Sequence, residues 1–380
     1  MSRPVTQILC VVGARPNFIK IDPIMRALNN PSLSLSCKLV HTGQHYDAAM
    51  KHSFFDQLSI PEPDIDLGVG SGSHAVQTAE VMKRIEPVID DLKPDAVLVV
   101  GDVNSTIASA LVSVKKGIPV FHVEAGLRSG DRTMPEEINR ILTDQISDML
   151  FTTEKKAQDN LVHEGIDRER IHFVGNVMID SLRYNLANAI SPDHMFSSMC
   201  NKDELSLFKA GYGVVTLHRP SNVDDPVVLR RLLTVLQEIS ASLPLVFPVH
   251  PRTRQSIDDA GLEKLITGPR FLILPPLGYR EMLGLMKSAK MVLTDSGGMQ
   301  EETTALGIPC ITLRENTERP ITVEQGTNTI TGSDPDKIMA CFNDIMVTGG
   351  KAGHIPVLWD VKTAERIAMI ISDWSSSKHQ

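Results

Sequence analysis

The segment from His122 to Arg140 places a dense group of charged residues directly after an apolar run. Residues 118–123 are typical of a short buried strand, so Glu124 is predicted at the carboxyl end of a strand, where open α/β sheets bind ligands. The charged residues behind it are Arg128, Asp131, Arg132, Glu136, Glu137 and Arg140. A solvated loop with surface ion pairs is the alternative, but a buried strand leading into so many charges favours a chemical role.

A second carboxylate, Asp102, follows the preceding predicted strand at 95–100. Because consecutive strands of a βαβ pattern are often neighbours, Asp102 and Glu124 are predicted to lie close together across the sheet. Two such carboxylates hold protons unequally, as a general acid and base require. Glu136 adds a third carboxylate. The residues do not decide which carboxylate acts on which face of a substrate.

Two loops after predicted strands carry cations that suit an anionic ligand. The first, at 13–20, contains Arg15 and Lys20 beside a predicted helix start, where backbone N–H groups and the helix dipole favour anions. The second begins with His218, for which a purely structural histidine is the alternative reading.

A third loop, at 295–302, suits a nucleoside diphosphate. Ser296, Gly297 and Gly298 at a predicted helix start let the backbone approach a diphosphate closely. Glu302 is predicted in the first helical turn, where it accepts hydrogen bonds from ribose hydroxyls. Downstream, Arg319 is predicted to make a bidentate phosphate contact.

Composition excludes several classes of protein. The chain has 380 residues, a net charge of −8 and a pI near 5.8, which argue against a nucleic-acid or anionic-membrane surface. Neither the dinucleotide fingerprint nor the P-loop occurs, so no cofactor is predicted. His41 and His45 lie on a strand-to-loop segment that would not bring both to one metal, so no metal site is predicted. Scattered cysteines, without a signal peptide or an apolar span, predict a cytoplasmic protein.

Strands alternate with helices along most of the chain, which predicts βαβ units and parallel sheets. The pattern weakens between residues 182 and 211 and then restarts. We therefore predict an α/β protein of two Rossmann-like, doubly wound domains facing a cleft: residues 1–183 with the catalytic carboxylates, residues 184–360 with the nucleotide site, and a C-terminal helix at 361–380.

Eight motifs together resemble the non-hydrolysing UDP-N-acetylglucosamine 2-epimerases: GARPNFIK at 13–20, HTGQH at 41–45, GDVNST at 101–106, HVEAGLRS at 122–129, MPEEINR at 134–140, LHRPSN at 217–222, TDSGGMQEE at 294–302 and RENTERP at 314–320. The resemblance implies a glycosyltransferase-B-like fold, a homodimer and a C-terminal helix that crosses back to the first domain. It also implies conversion of UDP-GlcNAc to UDP-ManNAc for surface polysaccharides.

The resemblance assigns roles to particular positions. Arg15, Lys20, Asp102, Glu124, Glu136 and His218 match the family's active-site positions. Ser296, Gly297, Gly298, Glu302 and Arg319 match its UDP-binding positions, to which the cationic loops add Arg15 and His218.

The chemistry of an N-acetylhexosamine favours the same reaction. Its C2 hydrogen lies beside an acetal and is only feebly acidic, so inversion without a nicotinamide proceeds by loss of UDP to a 2-acetamidoglucal. Protonation of the opposite face and return of UDP follow, which requires stabilised diphosphate and carboxylates on both faces of the ring.

Three other readings stay open. The substrate is alternatively UDP-2,3-diacetamido-2,3-dideoxyglucuronate, since residues 70–74 look somewhat like those of its epimerases. A glycosyltransferase of the same fold would need an acceptor surface, against which the acidic composition counts. A non-catalytic UDP-sugar sensor has no need of the three carboxylates.

Regulation is where the chain departs from its relatives. Many bacterial members are activated by UDP-GlcNAc bound beside the substrate at a site that includes the residues matching Gln44 and His45. Here Asp47 replaces a polar amide, and residues 67–74 contain no lysine or arginine. Both changes disfavour a second diphosphate, so weak or absent activation is predicted.

Overall fold

The computed structural model describes residues 5–43 and 62–378. The described residues fall into two compact units, one within Met1–Arg183 and Val357–Gln380 and the other within Tyr184–Pro356. Each unit is built on its own parallel sheet. Within the described ranges, no helix combines the length and apolarity that crossing a bilayer requires.

The first unit contains a seven-stranded sheet in the order β3-β2-β1-β4-β5-β6-β7. Its strands are β1 (Thr6–Val12), β2 (Leu35–His41), β3 (Ile65–Asp66), β4 (Ala96–Val100), β5 (Val120–Ala125), β6 (Met149–Thr152) and β7 (Ile171–Phe173). Its helices are α1 (Arg15–Leu28), α2 (His74–Leu92), α3 (Asn104–Lys115), α4 (Pro135–Ile146), α5 (Lys155–His163), a 3₁₀ turn (Arg168–Arg170), α6 (Val177–Leu186) and, at the end of the chain, α16 (Thr363–Lys378).

The second unit contains a six-stranded sheet in the order β10-β9-β8-β11-β12-β13. Its strands are β8 (Gly213–Thr216), β9 (Leu245–Pro248), β10 (Phe271–Leu274), β11 (Met291–Thr294), β12 (Cys310–Thr312) and β13 (Asn328–Ile330). Its helices are α7 (Pro192–Met199), α8 (Lys202–Ala210), α9 (Pro220–Val223), α10 (Pro226–Ser242), α11 (Pro251–Asp259), a 3₁₀ turn (Glu263–Ile266), α12 (Tyr279–Ser288), α13 (Gly297–Leu306), α14 (Pro320–Glu324) and α15 (Pro335–Thr348).

Both strand orders place the functional loops at equivalent points. Strands β1 and β4 are neighbours although helices and two strands separate them in sequence, and β8 and β11 repeat this arrangement. The strand order reverses at these pairs, and doubly wound sheets bind ligands there, outside the carboxyl ends. The core strands are continuous apolar runs, such as the fully buried residues of β4, because helices cover both faces of a parallel sheet.

The predicted α/β class with two doubly wound sheets is confirmed. The spacing of apolar residues from Ile138 to Met149 predicts one continuous helix, and this is wrong at its end, because α4 stops at Ile146 and Met149 already begins strand β6. Strand β13 and helix α15 were not predicted. The C-terminal helix α16 contacts α1, and Trp374 packs edge-on against Phe121 of β5 with ring centroids 5.0 Å apart.

Candidate active site

Glu124 lies inside strand β5 at an irregularity of the sheet. The pairing of β5 with β6 shifts register between Val123 and Ala125, and Glu124 itself has a φ of +73°. A non-glycine residue adopts this left-handed conformation only when its surroundings enforce it, and β-bulges commonly re-aim a side chain. The Glu124 carboxylate is buried and forms an ion pair with the buried ammonium of Lys20 on α1.

The turn after β4 lies against helix α1 and the Glu124 side chain. The Asn17 side chain of α1 donates to the Val100 carbonyl (2.9 Å) and accepts from the Ala14 amide (3.0 Å). Gly101 has a φ of +71°, and a Cβ on it would lie 3.1 Å from Asn17 Nδ2 and 3.3 Å from Glu124 Oε2. The loops that follow β1, β4 and β5 therefore converge, and the tight contacts and left-handed backbone at position 101 favour glycine there.

Asp102 is held by a buried arginine. Arg140 of α4 lies with its Nε 3.0 Å and its Nη2 2.8 Å from Asp102 Oδ2, and it also pairs with Glu137. Glu137 in turn accepts hydrogen bonds from the backbone amides of Ser129 and Gly130. These contacts anchor the charged loop after β5 to α4 and fix Asp102, while Asp102 itself stays partly exposed.

A cavity of about 250 Å³ opens beside these carboxylates within the first unit. Its lining contains Ser71, Gly72, His74, Gln77, Val103, Asn104, Pro135, Glu136 and Asn139. The amide of Asn104 donates to Gln77 Oε1 (2.8 Å), and Asn139 donates to the Asp102 carbonyl (2.9 Å). The cavity is thus a polar, amide-rich space that includes Glu136, and one of its lining residues, Asn139, is hydrogen-bonded to the backbone of Asp102.

In the second unit, His218 is oriented by a buried aspartate from the neighbouring strand. Asp295 accepts hydrogen bonds from the backbone amides of His218 and Arg219 (2.9 Å each) and from Asn222 Nδ2 (3.2 Å). Its Oδ1 lies 2.8 Å from His218 Nδ1, so Nε2 is the ring nitrogen that Asp295 does not engage, on a side chain that is 37% exposed. Burial would raise the pKa of Asp295, but the hydrogen bond and charge of His218 outweigh it and lower that pKa.

Helix α13 presents its N-terminus at the end of β11. Ser296, Gly297 and Gly298 are partly exposed, and the Ser296 side chain makes no capping hydrogen bond. The first helical turn contains no acidic residue, so the dipole there favours an anion.

The prediction that Glu302 lies in this first turn is wrong. Helix α13 begins at Gly297, so Glu302 falls in the second turn. Burial raises the pKa of Glu302 to about 7, helped by the charge of Glu301 and opposed by a hydrogen bond from Tyr279.

Arg319 belongs to a cluster of buried charges in the same unit. Its Nε lies 2.9 Å from Glu301 Oε1, so its bidentate phosphate contact stays a prediction. Arg314 pairs with Glu318 (2.9 Å), and Arg219 lies 3.8 Å from the same carboxylate. Burial would raise the pKa of Glu318, but Arg314 and Arg319 lower it to about 2.

The predicted residues thus form two groups, each within one unit. Lys20, Asp102, Glu124 and Glu136 lie around the convergent loops of the first unit, where Arg15 is the first residue of α1. His218 and the α13 residues surround the end of β11 in the second. Gln44, His45 and Asp47 lie outside the described residues. In the described parts of the chain, no group of three or more His, Cys, Asp or Glu is placed to hold a metal ion.

Sequence reasoning missed residues that act through distant partners. Asp295 lies in the motif TDSGGMQEE, which by itself indicates no role for it, and Arg84 of α2 lies outside all eight motifs. Arg84 Nη1 donates to the carbonyls of Leu67 (2.8 Å) and Gly68 (2.6 Å), so a cation reaches the segment that contains none of its own. The sequence signal for Asp295 is a carboxylate two residues after the apolar run 291–293, where a buried carboxylate must find hydrogen-bond donors.

Comparison with known proteins agrees with this geometry. The family model described as UDP-N-acetylglucosamine 2-epimerase matches residues 26–372. The UDP-N-acetylglucosamine 2-epimerase of Methanocaldococcus jannaschii is 41% identical over 368 residues, covering 95% of this chain and 98% of that protein. The UDP-2,3-diacetamido-2,3-dideoxy-D-glucuronate 2-epimerase of Pseudomonas aeruginosa is 44% identical over 336 residues, covering 88% and 90%.

Comparison with solved structures shows that the similarity includes the fold. The Methanocaldococcus jannaschii enzyme in complex with UDP-GlcNAc and UDP has a TM-score of 0.85 at 39% identity, covering 97% of this chain and 100% of that one. A lipopolysaccharide outer core galactosyltransferase, with a TM-score of 0.53 and 13% identity over 96% of this chain and 99% of that one, shares the fold alone. The fold is glycosyltransferase-B-like, and the chain belongs to the UDP-N-acetylglucosamine 2-epimerase family.

Proposed function

We propose that this protein interconverts UDP-GlcNAc and UDP-ManNAc. The observation that carries the proposal is the buried Glu124 carboxylate, held in a left-handed bulge against Lys20 beside Asp102. Strain of this kind is retained at functional sites, and proton transfer needs carboxylates in fixed positions. The UDP-GlcNAc seen with the Methanocaldococcus jannaschii relative supports the choice of ligand.

The reaction divides into elimination and addition. A carboxylate removes the C2 proton while the C1–O bond breaks, and UDP departs with the bonding electrons to leave a 2-acetamidoglucal. A second acid then protonates C2 on the opposite face as a UDP oxygen returns to C1. Asp102, Glu124 and Glu136 supply the proton-transfer groups, and their assignment to faces stays open.

The departing diphosphate requires positive charge and aligned N–H groups. We assign this role to the N-terminus of α13 at Ser296, Gly297 and Gly298, to His218, to Arg319 and to Arg15 of the first unit. His218 Nδ1 is engaged by Asp295, so its Nε2 side is the one that meets a phosphate oxygen. Glu302 binds the ribose hydroxyls. No cofactor takes part in the reaction.

The cavity lining favours an uncharged sugar over a uronate. Among the described residues that line it there is no lysine or arginine, while Glu136 contributes a carboxylate. A 6-carboxylate placed there would be unpaired and repelled, whereas hydroxyl and acetamido groups match Gln77, Asn104 and Asn139. The second candidate is the diacetamido-glucuronate epimerase activity, which the Pseudomonas aeruginosa relative favours.

One experiment tests function and substrate together. Purified protein is incubated with UDP-GlcNAc, or with UDP-2,3-diacetamido-2,3-dideoxyglucuronate, in the absence of any acceptor. We expect UDP-ManNAc from the first and no turnover of the second. Turnover of the uronate alone would show that UDP-2,3-diacetamido-2,3-dideoxyglucuronate is the substrate. Release of UDP without a new sugar nucleotide would indicate a glycosyltransferase.

We further propose a cytoplasmic homodimer that supplies precursors of surface polysaccharides. The five free cysteines fit a reducing compartment. Ile138 and Leu142, one turn apart on α4, are 42% and 50% exposed, as an apolar face covered by a second copy would be. Light scattering should give twice the 41.7 kDa chain mass, and a monomer at micromolar concentration would exclude the dimer.

A further inference from the structure

His122 is a fully buried histidine that the proposed mechanism does not use. It lies in β5, two residues before Glu124, and its side chain is 0% exposed. Its Nε2 is 2.8 Å from the carbonyl oxygen of Gly101, and its Nδ1 is 2.6 Å from Asp144 Oδ1 of α4. Both ring nitrogens therefore face oxygen acceptors.

The number of protons on His122 follows from these partners. A carbonyl oxygen only accepts, so Nε2 carries a proton. Asp144 Oδ2 accepts from the Gly126 amide (3.1 Å) and lies 2.8 Å from Arg128 Nη2, contacts that favour the ionised carboxylate. Nδ1 therefore also carries a proton, and His122 is an imidazolium.

The positive charge is balanced within a chain of charges that begins in the core and ends at the surface. Arg128 connects Asp144 to Glu164, with Nη2–Oε2 at 2.6 Å and Nε–Oε1 at 2.8 Å. Glu164, Arg128, Asp144 and His122 together carry two negative and two positive charges, so the network is neutral; His122 and Asp144 are fully buried, whereas Glu164 is exposed. A buried charge that is both paired and hydrogen-bonded persists, whereas an unpaired one does not.

This chain of charges ends on the peptide that carries Asp102. Gly101 has a φ of +71°, donates its N–H to the Val123 carbonyl (3.1 Å) and directs its C=O to His122. Both polar atoms of Gly101 are thus bound to strand β5, on which Glu124 lies. The hydrogen bond from His122 fixes the orientation of the Gly101–Asp102 peptide relative to the Glu124 bulge.

We propose that His122, kept cationic by Asp144, is a positioning residue that holds the Asp102 and Glu124 carboxylates in register for proton transfer. It does not touch the substrate. The kinetic part of this inference rests on the proposed epimerase function, whereas the protonation state of His122 does not.

The test separates the two hydrogen bonds of His122, the one from Nδ1 to Asp144 and the one from Nε2 to Gly101. His122→Asn retains a donor toward Asp144 but does not reach Gly101. The double variant His122→Gln/Asp144→Asn replaces the charged pair by two neutral amides. The amide NH₂ introduced at position 144 donates to the side-chain carbonyl introduced at position 122. The NH₂ group introduced at position 122 then donates to the Gly101 carbonyl. His172→Asn in the adjacent region of the same sheet is the matched control, because His172 is half-buried and packs on Phe151 rather than on Gly101.

For H122N we expect kcat with UDP-GlcNAc to fall about 100-fold, since small displacements of catalytic groups cost rates of that order. KM and the calorimetric affinity for UDP should change little, because the UDP-binding residues of the second unit are untouched. H122Q/D144N should recover most of the lost kcat, and H172N should retain wild-type kcat. Should H122N fail to fold, H122Q compared with the double variant carries the same contrast, because with Asp144 intact the single NH₂ introduced at position 122 cannot serve both Asp144 and Gly101.

Wild-type kcat in folded H122N, or equal losses in H122N and the double variant, would overturn the positioning role. Independently, ¹⁵N NMR of histidine-labelled wild type should show both His122 ring nitrogens protonated at neutral pH, with the signal identified by its absence from H122N. A single protonated nitrogen would overturn the cationic state. If wild type converts no UDP-sugar, the proposed function fails while the NMR result still decides the state of His122.

Discussion

At the scale of single residues, the site depends on carboxylates whose surroundings differ sharply. Glu124 is buried and paired with Lys20, whereas Asp102 is partly exposed and bound by Arg140. Glu302 of the second unit is buried in a way that favours its neutral form. We expect these differences in burial and pairing, rather than the presence of acids alone, to separate the proposed proton-transfer groups from the proposed ribose-binding group.

The first prediction concerns proton transfer. Asp102→Asn and Glu124→Gln should each fold and lose epimerisation by about 10²–10⁴-fold, the usual contribution of general acid–base catalysis. Turnover of UDP-GlcNAc and circular dichroism measure the two properties. Asp90→Asn, an exposed aspartate on α2 paired with Lys116, is the matched control and should keep wild-type activity. Folded variants with wild-type turnover would remove these residues from the mechanism.

The second prediction concerns Glu302 and pH. Its folded pKa of about 7 exceeds the ordinary value of 4.5, so the contribution of its protonated form to stability is complete below the ordinary value and is lost as pH rises through about 7. Glu302→Gln, which cannot ionise, should therefore be more stable than wild type above pH 7, by up to about 3 kcal/mol. Melting curves from pH 5 to 9 measure this, and parallel curves would contradict the buried neutral state.

Most of these residues can be predicted from the sequence because each follows an apolar run. The roles of His122, Asp144 and Asp295 cannot, because their partners lie far away in the chain: Asp144 is 22 residues from His122, and Asp295 is 77 from His218. Only the folded sheet brings these groups together. A histidine inside an apolar strand was nevertheless a signal that buried hydrogen-bond partners must exist.

At the scale of elements, the same device appears in both units. Loops from two neighbouring strands are tied together at the reversal of strand order, by Asn17 and Gly101 in one unit and by Asp295 in the other. Most strands were predictable from apolar runs, but β6 and β13 were not. β6 follows the end of α4 almost directly, and β13 has only three residues.

The third prediction tests the hydrogen bonds by which Asp295 holds the loop after β8. Asp295→Asn should set an amide NH₂ against the backbone donors of His218 and Arg219, and so destabilise the fold by about 1–3 kcal/mol. Because the folded pKa of Asp295 is lowered, the stability it provides is present above its ordinary pKa and is lost in acid, so the penalty should shrink as pH falls. Denaturant unfolding with Asp259→Asn, an exposed control, measures it. Equal stability of D295N and D259N would show that the loop does not depend on Asp295.

At the scale of the whole molecule, family membership establishes the fold and the class of reaction. Regulation depends instead on individual residues in which this chain departs from its relatives. The prediction of weak activation rests on Asp47 and on the absence of lysine and arginine from residues 67–74. Arg84 contacts the carbonyls of Leu67 and Gly68 and is also hydrogen-bonded to Glu80, so its charge is already partly balanced. Arg84 thus brings a positive charge to residues 67–74, but Glu80 already balances part of that charge.

The fourth prediction follows from that balance. UDP-ManNAc alone should be converted to UDP-GlcNAc from the first seconds, without a lag. Continuous monitoring of the reverse reaction, with and without a trace of UDP-GlcNAc, measures this, and Asp47→Gln should introduce activation by restoring a polar amide. A lag in wild type that a trace of UDP-GlcNAc abolishes would show that an activator site is intact.

The central claim is that C2 exchanges its proton while UDP is released and recaptured. The most direct measurement is turnover of UDP-GlcNAc in D₂O, followed by mass spectrometry and NMR of the sugar nucleotides. We expect UDP-ManNAc with one deuterium at C2, together with traces of free UDP and 2-acetamidoglucal. UDP-ManNAc that carries only protium at C2, without any glucal or UDP, would contradict elimination and re-addition.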